Sequence, residues 1–501
     1  GVTPPIATTP PTEREIQVTT DLVESLKRFG QYESEEEAQK REEVLGKLND
    51  IFKEFVKKVS LKNNLPESMA AEAGGMIFTF GSYRLGVHGK SSDIDTLCVA
   101  PKHVKREDFF EEMQEALKAR PEVTEMAGVP DSYVPVLKFH FSDIPIDLVF
   151  ARLALPSVPD TLNLADDNLL KNLDERCIRS LNGSRVTDEI LRLVPNIDAF
   201  RIALRCIKLW AKRRAIYSNV MGFFGGVAWA ILIARVCQLY PNAAAGAIVG
   251  KFFRIMHQWT WPQPVLLKPI EEGPLAVRVW NPKIYPQDKL HKMPVITPAY
   301  PSMCATHNVT SSTQAVTHQE FERAANITDR VVLGLADWNE LFTKNDFFQR
   351  YKYYLQVIAS SDSAETQLKW SGMVESRLRQ LIMKLETVEN LEIAHPYIEG
   401  FDKVTLCANE QEKQDAAQGV NIIREPGAPE LDPATALAVH TTTFYIGLQI
   451  KAKEPGSAAG RKLVISWPLS DFIGLVKSWD HYVKESMGIV VQYVKRYVAS
   501  L

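Results

Sequence analysis

A chain of 501 residues with 45% hydrophobic content is long enough for roughly two to four separate cores and too long for a single small module. A formal net charge of −3 and a pI near 6.4 exclude a surface coated in positive charge, so any contact with a polyanion must be a local patch. Six cysteines (Cys98, Cys177, Cys206, Cys237, Cys304 and Cys407) form no CxxC pair and suit reduced thiols, while the most apolar stretch, 225–239, is interrupted by Arg235 and falls short of the ~20 residues that a bilayer span needs.

In chain order, the Pro- and Thr-rich start predicts a disordered arm over 1–19. Ser34 followed by three glutamates forms a capping box, and Leu45, Leu48, Phe52, Phe55 and Val59, at spacings of three and four, predict one long amphipathic helix. Between Met76 and Phe150 the texture changes to short apolar runs (MIFTF, DIDTLCVA, VPVLKFHF, IPIDLVF) separated by polar helical or turn material, which predicts an α/β segment with a small sheet. From Val186 to about Met256 the period is helical again, with GVAWAILIARVCQL buried on most of its surface. The proline-rich stretch 261–301 reads as fixed loops walling a cleft. From Asn345 onward aromatic and β-branched runs surround a helix containing VESRLRQLIMKLETV, a third α+β domain, within which 408–438 is polar enough to predict a flexible insertion.

The chemistry begins at Phe80-Gly81-Ser82, soon followed by Asp93-Ile94-Asp95 at the head of a strand-like run. Residues i and i+2 of a strand face the same way, so Asp93 and Asp95 project together while Ile94 and Cys98 face the other side. Asp147, inside the apolar run IPIDLVF, adds a third carboxylate if the two strands are neighbours. An Asp-x-Asp pair alone is more often a solvated strand end; a Gly-Ser turn upstream and a third acid in an apolar strand shift the balance to catalysis. Converging carboxylates repel unless protonated or held by cations, and oxygen ligands without His or Cys point to Mg²⁺, as two ions serving an in-line phosphoryl displacement, with Mn²⁺ an acceptable substitute. Gly81 lets backbone approach a ligand, and Ser82 would open a short helix whose N–H groups suit a phosphate.

Arg201, Arg205, Lys208 and Lys212 fall on one helix face, a stripe that is ordinarily a solvated surface but here leads into Tyr217, Asn219 and the turn Gly225-Gly226-Val227. Lys208 and Tyr217 would bind phosphates and Asn219 a purine edge. Lys138 interrupts a strand, as an edge gatekeeper or a ligand group, and Tyr133 before it is placed either to stack on an RNA base or to join the core. Arg377, Arg379 and Lys384 crowd one late helix.

FTFGSYRLGVHG, SDIDTLCVAPKH, LNGSRVTDEIL, IKLWAKRRAIYSN, GFFGGVAWA, RVWNPKIYPQD and MPVITPAYPSMCATHN, extended by KNDFFQRYKYYL and LKWSGMVESRLRQL, closely resemble the nuclear poly(A) polymerases, the fungal ones most of all, within the polymerase-β-like nucleotidyltransferase superfamily. The resemblance implies an α+β multidomain chain: a nucleotidyltransferase catalytic domain with a small mixed sheet over 43–194, a helical central domain assembled from 20–42 and 195–344, and an RRM-like RNA-binding domain over 345–501. By motif position it implies that Asp93 and Asp95 hold both metals and Asp147 completes the one nearer the RNA 3′-hydroxyl. Phe80, Gly81, Ser82, Lys208, Tyr217, Gly226 and Val227 would surround ATP, Asn182 would lie near the sugar and Asn219 near the base, and Tyr133, Lys138, Arg379 and Lys384 would meet RNA. The implied activity is addition of AMP to the 3′ end of pre-mRNA by a nuclear, catalytically monomeric enzyme working with cleavage and polyadenylation subunits. Two rivals stay open at this point: a terminal transferase of other base preference (UTP or CCA-adding), and a non-catalytic RNA-binding scaffold, whose usual mark is a lost carboxylate.

Overall fold

The computed structural model describes residues 2–456 and 462–496. Thr12 caps helix Glu13–Arg28 by accepting from the Glu15 N–H, and the buried face of that helix (Val18, Leu22, Leu26) packs against helix Ala245–Gln258. The disordered arm expected over 1–19 is thus corrected. Residues 13–19 are helical, and the strand of chain before them is tied to the body by Ile6 N–H donating to the Leu239 carbonyl at 2.8 Å and by Asn242 Nδ2 donating to the Thr8 carbonyl at 2.6 Å. Ser34 caps the predicted long helix, Glu35–Lys62, which buries Val44, Leu48, Phe52, Phe55, Val56 and Val59; Leu45 sits only at the margin of that face. Because this helix is unbroken, the boundary expected at residue 42 is also corrected: the chain passes from one domain to the next in 29–34.

The first sheet contains β1 (Met76–Phe80), β2 (Ile94–Ala100), β3 (Val123–Val129), β4 (Val136–Phe141) and β5 (Ile144–Arg152) in the order β1-β2-β5-β4-β3, with β2 and β5 parallel and every other pair antiparallel. One face (Ile94, Cys98, Ile146, Leu148, Phe150) is covered by helix Glu35–Lys62, and the other (Leu97, Val99, Val149, Ala151) by helix Glu175–Leu193 through Cys177 and Leu181. Alternation along β2 and β5 therefore puts Asp95 and Asp147 on the second face, as the period of two requires. Strand β3, read from sequence as helical or turn material, is an edge strand with an irregular register around Glu125, which explains its weak apolar signal.

Helices Ile197–Arg213, Gly226–Leu239, Ala245–Gln258 and Ser311–Val332 build the central domain around Trp210, Trp229, Phe252, Phe253 and Phe321, whose rings meet largely edge to face, the Trp210 and Phe253 centroids 4.7 Å apart. The last domain runs β6 (Tyr353–Ser361), helix Ala364–Glu386, β7 (Leu391–Pro396), β8 (Phe401–Cys407), β9 (Leu437–Ile450), helix Ser466–Lys477 and β10 (Met487–Lys495). Its order β10-β6-β9-β7, with β8 added along β9, is the split βαβ arrangement of an RNA-recognition module. The sheet face that such a module uses for stacking bases is filled here by the chain's own Phe347, Tyr351, Tyr354 and Tyr397 and meets Ala215 of the central domain. Within the expected flexible insertion 408–438, Glu410–Ala417 form a helix capped by Asn409, a local order that polar composition alone did not reveal. No helix among the described residues is long and apolar enough to cross a membrane.

Candidate active site

Three strand pairings set one row of side chains across the first sheet: Phe80 opposite Asp95, Asp95 beside Asp147, and Asp147 opposite Lys138. Asp93 lies two residues before Asp95, just ahead of β2. Burial is the main force on the Asp95 carboxyl, and with the charges of Asp147 and Asp93 it pushes that group up to about 7 against the pull of Lys138 and Lys208. Burial also raises Asp147; the main opposing influence is the Lys138 ammonium, whose Nζ lies 3.4 Å from Asp147 Oδ2. Sequence reasoning treated Lys138 as an edge residue or a ligand group, and the register shows it to be the counter-charge of the third carboxylate.

The Phe80–Asp95 end of this row walls a cavity of about 650 Å³, into which Gly81, Ser82, Asp93, Asn182, Lys208, Lys212, Tyr217, Gly226 and Val227 also face. That volume is in the range of small-molecule sites. Most of the residues singled out from sequence for the nucleotide are therefore brought together. Gly81 is left-handed at φ +64°, and its N–H donates to Thr187 Oγ1 at 3.2 Å. The first N–H of helix Gly81–Leu85 is therefore already engaged within the protein. Across the cavity Lys208 is pushed down to about 7, chiefly by burial and then by Lys212 and Arg205, while burial and Asp95 push Tyr217 up to about 12. Asn182 is oriented by a neighbour that sequence reasoning missed: Arg185, 5% exposed, donates from Nε to Asn182 Oδ1 at 3.2 Å and from Nη2 to the Tyr300 carbonyl at 3.0 Å. With its oxygen so occupied, Asn182 offers its amide N–H groups to the cavity.

The cationic stripe divides. Lys208 and Lys212 line the cavity, whereas Arg201 and Arg205 do not meet it: Arg201 Nε donates to the Leu85 carbonyl at 2.9 Å, and Arg205 donates to the carbonyls of His88 at 2.8 Å and Gly86 at 3.0 Å. Spacing shows which residues share a face and is blind to what each one reaches. Asn219 is likewise outside the cavity lining, exposed on the turn beside Gly225, with its carbonyl accepting from Asn308 Nδ2 at 3.0 Å. Tyr133, 66% exposed, belongs to a second cavity of about 450 Å³ that shares Pro301 and Met303 with the first, and the Arg179 guanidinium lies 3.9 Å from the centre of its ring. Arg379 Nη1 donates to the Val220 carbonyl at 3.3 Å, on the same turn as Asn219, and Lys384 Nζ stands 3.9 Å from Asp471 Oδ2. Among the described residues no group of three or more His, Cys, Asp or Glu side chains is gathered closely enough to hold a metal ion by itself.

Three family profiles match in tandem: the poly(A) polymerase nucleotidyltransferase domain over residues 1–194, the poly(A) polymerase central domain over 199–344, and the poly(A) polymerase predicted RNA binding domain over 346–499. Poly(A) polymerase pla1 of Schizosaccharomyces pombe is 52% identical over 520 residues, covering 99% of this chain and 92% of its own. Poly(A) polymerase PAPa of Candida albicans is 50% identical over 510 residues, with 99% and 91% covered. A solved structure of the terminal uridylyl transferase Cid1 overlays 66% of the chain and 99% of its own at 15% identity and a TM-score of 0.44, too loose a likeness to bear on base preference.

Proposed function

The chain belongs to the poly(A) polymerase family, and from that premise we infer how its residues perform the reaction. It is a template-independent polymerase that transfers AMP from ATP to the 3′ end of RNA. The new bond joins the RNA 3′-oxygen to the α-phosphorus, the bond between the α-phosphorus and the bridging oxygen breaks, and pyrophosphate leaves. The single observation that carries this assignment of roles is the cross-strand row Phe80–Asp95–Asp147–Lys138, whose Phe80–Asp95 end walls a nucleotide-sized cavity.

Asp93, Asp95 and Asp147 offer the hard oxygen donors that would hold a pair of divalent cations together with the substrate phosphates, and those cations would supply the charge that stabilises the in-line displacement. The chain's own residues do the rest. Lys208 and Tyr217 hold the triphosphate from the side opposite the carboxylates, and Phe80, Gly226 and Val227 wall the nucleoside. Asn182, turned by Arg185, donates to the sugar. Lys138 pulls against the burial that raises Asp147 and so favours its carboxylate form, which faces the incoming 3′-hydroxyl. Tyr133, Arg379 and Lys384 guide the RNA strand, with Asn219 on the turn that Arg379 touches.

An oligo(A) primer offered each of the four nucleotides with Mg²⁺ is expected to extend with ATP in preference to the rest; equal or better use of UTP would overturn the adenylyl assignment, and no extension at all would favour a scaffold. We further infer action on pre-mRNA in the nucleus, beside cleavage and polyadenylation subunits, supported by about half-identity to fungal poly(A) polymerases over nearly the whole chain. A tagged chain found only in the cytoplasm would sink that part.

A further inference from the structure

Between helix Gly81–Leu85 and Asp93 the chain forms an irregular loop, 86–92, whose Ser91 and Ser92 line the nucleotide cavity. A loop beside a catalytic carboxylate needs its carbonyls fixed, and here they are taken by guanidinium groups. Arg205 holds the first part from the central domain, and Arg201 the Leu85 carbonyl just before it. The last part is held by Arg41: Nη1 donates to the Ser92 carbonyl at 2.9 Å, and Nη2 to those of Lys90 at 3.0 Å and Gly89 at 3.3 Å. Arg41 is 2% exposed and is the one charged residue on the buried face of helix Glu35–Lys62. Its Nε lies 3.0 Å from Glu33 Oε2, and the other Glu33 oxygen lies 2.6 Å from His88 Nε2 in the same loop.

Burying a guanidinium is unfavourable unless nearly all its donors find partners, and a helix that needed only to cover the sheet would carry an aliphatic residue there. The planar fork of arginine suits several carbonyls at fixed angles in a way that a lysine ammonium does not. Resting on the polymerase reading above, we propose that Arg41 is a positioning residue for nucleotidyl transfer: by fixing the Ser92 carbonyl it sets the backbone from which Asp93 projects toward the reacting phosphate. Glu33 braces the guanidinium, and His88 ties that brace back to the loop. A catalytic group displaced by about 1 Å loses rate by up to ~10²-fold, whereas ATP held by Lys208, Tyr217 and Asn182 is bound from elements that Arg41 does not touch.

The test is steady-state primer extension by Arg41→Lys, combined with amide hydrogen exchange on the same protein. The expected result is a kcat lower by about 10- to 100-fold with the KM for ATP within about twofold of wild type, and faster exchange across 89–93 with 200–212 unchanged. A kcat within twofold of wild type, a loss carried wholly by KM, or unchanged exchange in 89–93 would overturn the proposal. If Arg41→Lys fails to fold, Glu33→Gln decides instead: it leaves the three carbonyl bonds available and loosens only the brace, and should lower kcat about threefold to tenfold with the same flat KM; unchanged kcat there is fatal. A wild-type chain that adds no AMP would count against the functional reading itself, and the exchange measurement would still report whether Arg41 fixes the loop.

Discussion

Asp95→Asn abolishes primer extension and, above neutral pH, raises the melting temperature of the metal-free protein. The two halves of this expected result share one cause. Asp95 sits at the centre of the row, between Phe80 and Asp147, where burial and two neighbouring carboxylates push it from 3.8 to about 7. In the unfolded chain it ionises near its ordinary value, so between those limits the folded state holds a proton that the unfolded state has released. Stability therefore falls as pH rises through that window, and the full penalty, on the order of a few kcal/mol, is present above about 7. Asparagine has no charge to bury and escapes it at every pH. Thermal melts in the presence of a chelator should show the variant level with wild type near pH 4 and several degrees above it near pH 8, while extension with ATP and Mg²⁺ drops by at least ~10³-fold, about 4 kcal/mol of transition-state stabilisation. A melting difference that does not change with pH would mean that the carboxylates are not strained together, and a variant that still extends primers would remove Asp95 from the chemistry.

That strain was partly legible in the sequence. The period of two along DIDTLCVA is a local property, and the structure keeps Asp95 on the face opposite Ile94 and Cys98. What local pattern does not contain is pairing: only the parallel register of β2 and β5 puts Asp147 beside Asp95, and only the antiparallel register of β4 puts Lys138 opposite Asp147. The helical stripe shows the same division. Its four cations share a face because of their spacing, yet two reach the cavity and two clamp backbone carbonyls over 85–88, more than a hundred positions away in the chain. Arg41 and Arg185 escaped notice because a single arginine in a helix carries no periodic signal; their roles lie in the carbonyls they meet. β3 was missed for a physical reason too, since an edge strand that reaches the core only through Val123 and Met126 has little need of further apolar residues.

Gly81→Ala should be nearly as damaging as loss of a carboxylate, although it adds a single methyl group. A Cβ at this position would lie 2.4 Å from Asp95 Oδ2, well inside contact distance, and the backbone there has φ +64°, where an L side chain adds about 1–2 kcal/mol of strain. The residue cannot relax by rotating away, because its N–H is held by Thr187 and the next residues enter helix Gly81–Leu85. The carboxylate is then the part that yields, and it moves within the row that aligns the reacting groups. The expected outcome is a fall in kcat of about 10²-fold, a modest rise in the KM for ATP, and a folded protein with a slightly lowered melting temperature. Gly46→Ala is the matched control: it lies inside helix Glu35–Lys62, a Cβ there meets nothing within 4 Å, and alanine should stabilise the helix by about 0.5–1 kcal/mol with activity unchanged. If Gly81→Ala retains kcat within threefold of wild type, then Asp95 does not act from the position in which the strands hold it, and the row is scaffolding for a site elsewhere.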